Sequence, residues 1–250
     1  MRVPLVVVEA RRRELAYVIQ QQGYVPLKEL CRRFGISEAT ARRDLDALER
    51  AKKITRTYGG ALVDYNNKFP SFRQRLENGA AAKRRVAALA VERIEPGMVC
   101  YLDAGTTIYY LAQRLREFPV RPLTVVTPSL PVAEILAGLE GIEVHLTGGQ
   151  LLERQSVLLG EMTAKMLGLW KFDIAFISVE AFDRDGLWNT RPEVVAMQRV
   201  AVERALKTAV CADGRKLGKQ SAAFLFDWRP VSVLISDARP EQLKRAGVSA

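Results

Sequence analysis

Ser37, Thr40, Arg42 and Arg43 open a stretch, Ser37 to Glu49, whose apolar positions Ala41, Leu45 and Leu48 recur at i, i+4 and i+7. That period leaves Thr40 and both arginines outside the buried stripe, near the start of a helix. A guanidinium so placed takes guanine O6 and N7 as a bidentate pair or holds a phosphate. Far downstream, Asp103-Ala-Gly-Thr-Thr107 brings a carboxylate, a glycine and two hydroxyls to the start of another helix, the one carrying Tyr110, Leu111 and Leu115. Free backbone N–H groups and hydroxyls at a helix N-terminus cradle a phosphate. Taken alone, the same residues also make an ordinary cap.

The elements that must position the first set are short. Leu15, Val18 and Ile19 recur at helical spacing and Gly23 ends the pattern, which predicts a first helix over 9–22. Pro26 opens a second, with Leu27, Leu30, Cys31 and Phe34 as its apolar stripe. Gly35 supplies a tight turn, and Ser37 caps a third helix that runs to about Ala51. Cys31, on an apolar helix face, reads as packing rather than as a redox sensor. Helix, glycine turn, helix with a basic start is the helix-turn-helix pattern, whose second helix enters the major groove. Ile54 to Ala61 then alternates and turns on Gly59 and Gly60, a small hairpin or wing carrying Arg56 and Tyr58 toward the DNA backbone. An amphipathic helical hairpin with solvated arginines is the alternative. Charge favours DNA: residues 1–85 hold 19 Lys/Arg against 9 Asp/Glu, and the rest of the chain holds 19 of each.

Residues 63–75 break every periodicity and contain Pro70, so they read as a linker, and an alanine-rich helix over 76–95 ends at Pro96-Gly97. Beyond it, strand candidates at Met98–Leu102, Leu123–Val126, Ile142–Leu146, Ile174–Ile177, Thr208–Cys211 and Val231–Ile235 alternate with helical runs. The fold class expected is α/β, a mostly parallel sheet covered by helices, behind an N-terminal winged helix-turn-helix. A polar group follows each strand: Asp103 to Thr107, Thr127 to Ser129, Thr147 to Gly149, Ser178 to Glu180, Asp213 to Lys216, and Ser236-Asp237. In such a sheet the ligand crevice lies outside the carboxyl ends of the strands, so one pocket accounts for all six. Phosphate suits Gly105, Thr106 and Thr107, with Lys216 and Arg215 as compensating charge. Sugar hydroxyls suit Asp103, Glu180 and Asp213, each of which also serves as a turn cap or a local ion-pair partner. Ser129, Gly148 and Gly149 complete the expected effector set.

Three cysteines without a C-x-x-C pair argue against a disulfide framework or a structural zinc, and a single histidine excludes a two-histidine metal motif. No cofactor and no metal are expected, and a cytoplasmic location fits. The early apolar run Leu5 to Val8 is too short for a signal peptide or a membrane span, so no membrane partner is expected. His145 reads as a satisfied residue flanking the sheet rather than a base. Trp170, Trp188 and Trp228 read as packing, with Trp188 beside Gly186 at the possible border of the pocket.

Ser37-Glu-Ala-Thr-Ala-Arg-Arg-Asp-Leu-Asp-Ala-Leu-Glu49 followed by Arg56-Thr-Tyr-Gly-Gly-Ala61 resembles the signature of the DeoR-type bacterial transcription regulators. The resemblance continues through Leu102 to Thr107, Thr127 to Leu130, Gly148-Gly149, Gly160 to Thr163, Gly186-Leu187 and Asp213 to Gly218, and so covers residues 5 to 245. It implies an effector domain similar to the ribose-phosphate-isomerase and glucosamine-phosphate-deaminase fold, and a phosphorylated sugar as effector. It carries Asp103, Gly105, Thr106, Thr107, Gly149 and Lys216 over most directly. The chain departs from the pattern at Ser178 and Ala181, where glycines are usual, at Ala82 and Thr163, at Gln198-Arg199 in place of a Lys-Arg pair, and at Arg215 in place of a serine.

The organisation expected is therefore a DNA-binding domain over 1–62, a linker over 63–75 and a sugar-phosphate-sensing domain over 76–250. Its partners are double-stranded operator DNA, a phosphorylated sugar and further copies of the chain in a homodimer or homotetramer. A sugar-phosphate isomerase is the competing reading, since Asp103, Glu180, Asp213 and Lys216 make an acid-base set, but an isomerase has no use for a basic helix-turn-helix. A DNA-binding protein with a degenerate, empty second domain is the third.

Overall fold

The computed structural model of the chain describes residues 4–22, 24–51, 53–57, 60–63 and 70–248. The chain divides into two compact units, Met1–Pro70 with Gln220–Ala222, and Ser71–Lys219 with Ala223–Ala250.

In the first unit, α1 (Leu5–Gln22), β1 (Tyr24–Pro26), α2 (Leu27–Phe34), α3 (Glu38–Arg50), β2 (Ile54–Thr57) and β3 (Gly60–Val63) follow one another. Leu15 and Ile19 of α1, Leu30 of α2, and Ala41, Leu45 and Leu48 of α3 close one core, with Val25, Ile54 and Ala61 from the strands beneath. Cys31 packs at the margin of that core, as expected. Helix α1 starts before residue 9 because Leu5 and Val6 extend it while staying exposed, which an apolar stripe cannot signal. Gly35 ends α2 in the left-handed region at φ 60°, and its N–H donates to the Cys31 carbonyl. The wing is present as the antiparallel pair β2 and β3, but β3 is the central strand, because β1 pairs along its other side. That short strand has no signature in the sequence. It explains Gly60, expected in the turn and found in the ladder opposite Pro26: a Cβ there would overlap the Val25 carbonyl oxygen. Tyr58 and Gly59, at the expected tip, lie outside the described residues.

The second unit begins with α4 (Phe72–Glu77) and α5 (Ala80–Val91), then β4 (Val99–Leu102), α6 (Thr106–Glu117), β5 (Leu123–Thr127), α7 (Leu130–Leu136) and β6 (Ile142–Leu146). It continues with β7 (Gln150–Leu152), β8 (Val157–Leu159), α8 (Glu161–Gly168), β9 (Phe172–Ser178), β10 (Ala181–Asp183), β11 (Gly186–Asn189), α9 (Pro192–Glu203), β12 (Ala205–Cys211), β13 (Ala223–Phe226), β14 (Val233–Ile235) and α10 (Pro240–Arg245). All six strand candidates enter one sheet of order β14-β12-β9-β4-β5-β6, parallel at every pairing. Side chains divide between two cores with the period of two that strands impose: Cys100, Leu102, Ile174 and Phe176 meet α5, α6 and α7, while Tyr101, Ala175 and Ile177 meet α8 and α9. With both faces covered, the strands are apolar throughout, which made them legible.

Chain order runs outward through β4, β5 and β6, then returns to lay β9 beside β4 and runs the other way through β12 and β14. The carboxyl ends of β4 and β9 therefore flank the topological switch point, where open α/β sheets bind ligands. Two expectations need correction. The expected linker over 63–75 ends in a helix, since Ser71 forms a capping box with Gln74 at the start of α4. The expected helix over 76–95 is broken at Asn78-Gly79, where Gly79 adopts φ 71° and the Arg215 guanidinium occupies the space its side chain would need. The short antiparallel sheets β7-β8 and β10-β11-β13 had no counterpart in the strand candidates. Among the described residues no helix is long and apolar enough to cross a membrane.

Candidate functional site

The first unit presents the start of α3. Ser37 is its N-cap: its Oγ accepts from the Thr40 N–H at 3.3 Å and lies 3.0 Å from the Thr40 hydroxyl. Arg42 and Arg43 are exposed, and Arg42 pairs with Glu38 at 3.5 Å, an i,i+4 pair with both side chains in solvent. Arg56 is braced against α3: its Nη1 reaches Asp46 at 2.8 Å and its backbone N–H donates to Glu49 at 2.7 Å. A DNA phosphate would have to draw it from Asp46.

Asp44, which the sequence marks only as part of the Ser37 to Glu49 stretch and not as a site residue, is 2 % exposed and accepts from Arg11 Nε at 2.7 Å and Arg12 Nε at 2.8 Å. It fixes α3 against α1 and so aims the recognition surface. Asp44→Ala should cost the first unit about 2–3 kcal/mol, below the value for a fully buried pair because both guanidiniums reach water. Thermal unfolding of the full chain reads this, and an unshifted melting curve would show that the triad adds nothing.

In the second unit the expected residues do gather at the carboxyl ends of the parallel strands, but in different roles. Asp103 is 2 % exposed and is held from several sides. Its Oδ2 accepts from the Ser178 N–H at 2.9 Å, the Ser178 hydroxyl at 3.1 Å and Gln198 Nε2 at 2.8 Å, and Tyr101 Oη lies 3.3 Å from Oδ1. Burial pushes this carboxyl up, against the lowering effect of those donors. Gln198 also donates to the Ser178 carbonyl at 2.8 Å and accepts from Asn189 at 2.7 Å, so α9 ties the β4 loop to the β9 loop. Ser178, Gln198 and Asp103 thus form one network, to which two of the departures from the family pattern belong. Gly105 is needed by it: a Cβ there would overlap Ser178 Oγ.

Thr106 and Thr107 are the first two residues of α6, 5 % and 1 % exposed, in the turn where a helix gives its backbone N–H groups no intrahelical acceptor. Thr107 Oγ1 is buried and meets no hydrogen-bond partner among the described residues. Lys216 donates to the Val179 carbonyl at 2.5 Å, beside Ser178 and Glu180. Glu180 pairs with Arg75 of α4 at 3.1 Å. Asp213 is wholly buried and takes Arg215 through both oxygens, at 2.7 and 3.1 Å. Burial raises its carboxyl, but the Arg215 hydrogen bonds and the charges of Lys216 and Arg215 outweigh that and hold it below the usual range. Ser129, Gly148 and Gly149 follow β5 and β6, one and two strands from β4. Ser129 caps α7, and the glycines pack against α8, where a Cβ on Gly149 would overlap Thr163 Oγ1. His145 pairs with Glu143 at 2.9 Å and packs on Trp170, and Trp188 packs edge-on against Phe224 with its indole donating to Asp183.

One residue at the crevice went unrecognised in the sequence. Lys83 of α5 is 4 % exposed, and its Nζ donates to the backbone carbonyls of Arg75 and of Asn78, the latter at 2.9 Å. Burial first, then the nearby charges of Lys216, Arg215 and Arg75, lower its pKa to about 8, with Asp213 opposing. Arg75, Arg215 and Lys216 therefore all lie within electrostatic reach of Lys83. The signal was present: Lys83, Val86, Ala87 and Ala90 share one stripe of α5, and a lysine on an apolar stripe needs a partner.

The sequence matches the model of the DeoR-like helix-turn-helix domain over residues 11–67 and that of the DeoR C terminal sensor domain over 78–238. It is 31% identical to the HTH-type transcriptional repressor GlcR of Bacillus subtilis (strain 168), covering 90% of this chain and 86% of that protein. It is 28% identical to the glycerol-3-phosphate regulon repressor of Escherichia coli (strain K12), covering 92% and 91%. Among solved structures, ribose 5-phosphate isomerase A of Methanocaldococcus jannaschii aligns at 20% identity and a TM-score of 0.39, over 55% of this chain and 54% of that one.

Proposed function

The chain belongs to the DeoR family of transcription regulators, and from that membership we propose that it represses genes of carbohydrate metabolism and releases them when a phosphorylated sugar fills the crevice of its second unit. The helix-turn-helix makes it a DNA-binding regulator rather than an isomerase. What supports the effector is an open helix start at Gly105, Thr106 and Thr107 after β4, together with Lys216, which reaches the Val179 carbonyl after the neighbouring β9 and acts electrostatically on the buried Lys83. A phosphate dianion there would relieve the mutual repulsion of the cations. Asp103 is held by Ser178 and Gln198 beneath the loop after β4, while Glu180 and Asp213 are already paired with arginines. Relatives named as repressors, one of them of a glycerol-3-phosphate regulon, support the sign of regulation and the phosphate.

In this reading two copies present two recognition helices to half-sites about one helical turn apart, as a homodimer or homotetramer, which sedimentation of the chain with and without DNA reads. The function itself is tested by titrating an operator, selected by the purified chain from random duplexes, across a panel of sugar phosphates. At least one should weaken operator binding, by roughly 5- to 150-fold if the coupling is of ordinary size. Lys216→Ala and Thr106→Val should blunt that response without changing operator affinity in its absence. If no member of the panel alters DNA binding, the crevice does not sense sugar phosphates.

A further inference from the structure

Helix α4 is the first element after residue 70, where the chain passes from one unit to the next. On its apolar side Phe72 packs edge-on against Tyr109, and the Tyr110 hydroxyl donates to the Leu76 carbonyl at 3.2 Å. Its tethers to charged side chains run to the crevice. Arg75 Nη1 meets Glu180 Oε1 at 3.1 Å. Arg215 donates from Nη1 to Asn78 Oδ1 at 2.6 Å and from Nη2 to the Asn78 carbonyl at 3.2 Å. Lys83 donates to the carbonyls of Arg75 and Asn78. The cations that make the crevice positive are therefore the ones that hold the end of α4.

We propose that an anion entering the crevice competes with α4 for Arg215 and Lys83, so that α4 loosens and becomes the element that reports the effector to the DNA-binding unit. The proposal rests on reading the crevice as a phosphate site. On α4 and its C-cap these two cations meet only neutral acceptors, an amide oxygen and two backbone carbonyls, and a charged acceptor makes hydrogen bonds roughly twice as strong. Arg215 keeps its bond to the Asp213 carboxylate through the exchange, so the guanidinium pivots without becoming unpaired. A helix of six residues has too little of its own stability to persist once its last turn is released.

Hydrogen exchange of the full chain in inorganic phosphate, against sodium chloride of matched ionic strength, tests this, with thermal denaturation as an independent measure of binding. Phosphate should raise the melting temperature while the amides of Arg75, Leu76 and Glu77 exchange about tenfold faster, the factor expected for losing one hydrogen bond to a charged group. Asn78→Ala, which removes one Arg215 tether, should exchange faster in that segment without phosphate and gain less from it than the parent chain. Glu180→Gln, which cuts the Arg75 pair and leaves Arg215 and Lys83 in place, should also exchange faster without phosphate but keep the parent's further gain. A rise in melting temperature with unchanged or slowed exchange in α4 overturns the coupling and leaves the phosphate site standing. No rise and no change in exchange overturns both.

Discussion

Replacing Arg42 and Arg43 together by alanine is expected to lower affinity for a selected operator by about a thousandfold or more, with thermal stability unchanged. Each bidentate contact between arginine and guanine is worth about 1–3 kcal/mol, and the proposed dimer would make such contacts at two half-sites, so the lower bound is about 4 kcal/mol. Stability should hold because neither side chain belongs to the Ala41, Leu45 and Leu48 stripe. Arg42 gives up only an exposed i,i+4 pair with Glu38, worth a few tenths of a kcal/mol, and Arg43 makes no ion pair among the described residues. The salt dependence separates the two roles open to these arginines. If they hold phosphates, affinity falls alike for all sequences and the salt slope decreases by about one for each phosphate no longer neutralised. If they read bases, affinity for random duplex changes little. An operator affinity within threefold of the parent would remove both residues from the DNA surface.

The elements that could be read from sequence were those whose information is local. All six strands of the parallel sheet were visible as apolar runs because both faces of the sheet are covered, and the start of α3 was visible because the Ser37 cap is a contact three residues long. β1 escaped because three residues carry no period, and its partner β3 lies far along the chain. The same division runs through the crevice. Asp103, Glu180 and Lys216 stood out as polar residues at strand ends, whereas their partners come from 37 to 105 positions away: Val179 for Lys216, Gln198 for Asp103, Arg75 for Glu180. Three residues that organise the two units share a readable mark. Asp44 lies on the buried stripe of α3, Lys83 on that of α5 and Gln198 on that of α9. Desolvating an unpaired polar or charged side chain on such a stripe is costly, so its presence announces a long-range partner before the partner can be named.

Binding of inorganic phosphate to the second unit is expected to weaken as pH rises above about 8, by up to tenfold per unit, and Lys83→Met is expected to abolish that dependence. The proton on Lys83 decides the effect. Lys83 loses it at about 8 in the free protein because it is buried among Lys216, Arg215 and Arg75. A dianion beside it restores the preference for ammonium, so above that pH each binding event must take up a proton, and affinity falls with a slope of one. Inorganic phosphate is still completing its own second ionisation between about pH 7 and pH 8, which raises affinity there, so the fall due to Lys83 is read above about pH 8.5, where the dianion fraction is constant. At pH 7, where Lys83 is charged, Lys83→Met should cost about 1.5–3 kcal/mol, or one to two orders of magnitude in affinity, the worth of a hydrogen bond to a charged group. The free protein should show the opposite pH sense in its stability. The unfolded chain keeps the lysine protonated to its ordinary value of 10.5, so between about 8 and 10.5 it binds more protons than the folded chain. This group's contribution to stability therefore rises with pH across that window, and the rise should be missing from Lys83→Met. Calorimetry in two buffers of different ionisation enthalpy reads the proton uptake directly. Phosphate affinity that is flat from pH 8.5 to 9.5 in the parent chain would place Lys83 outside the binding site.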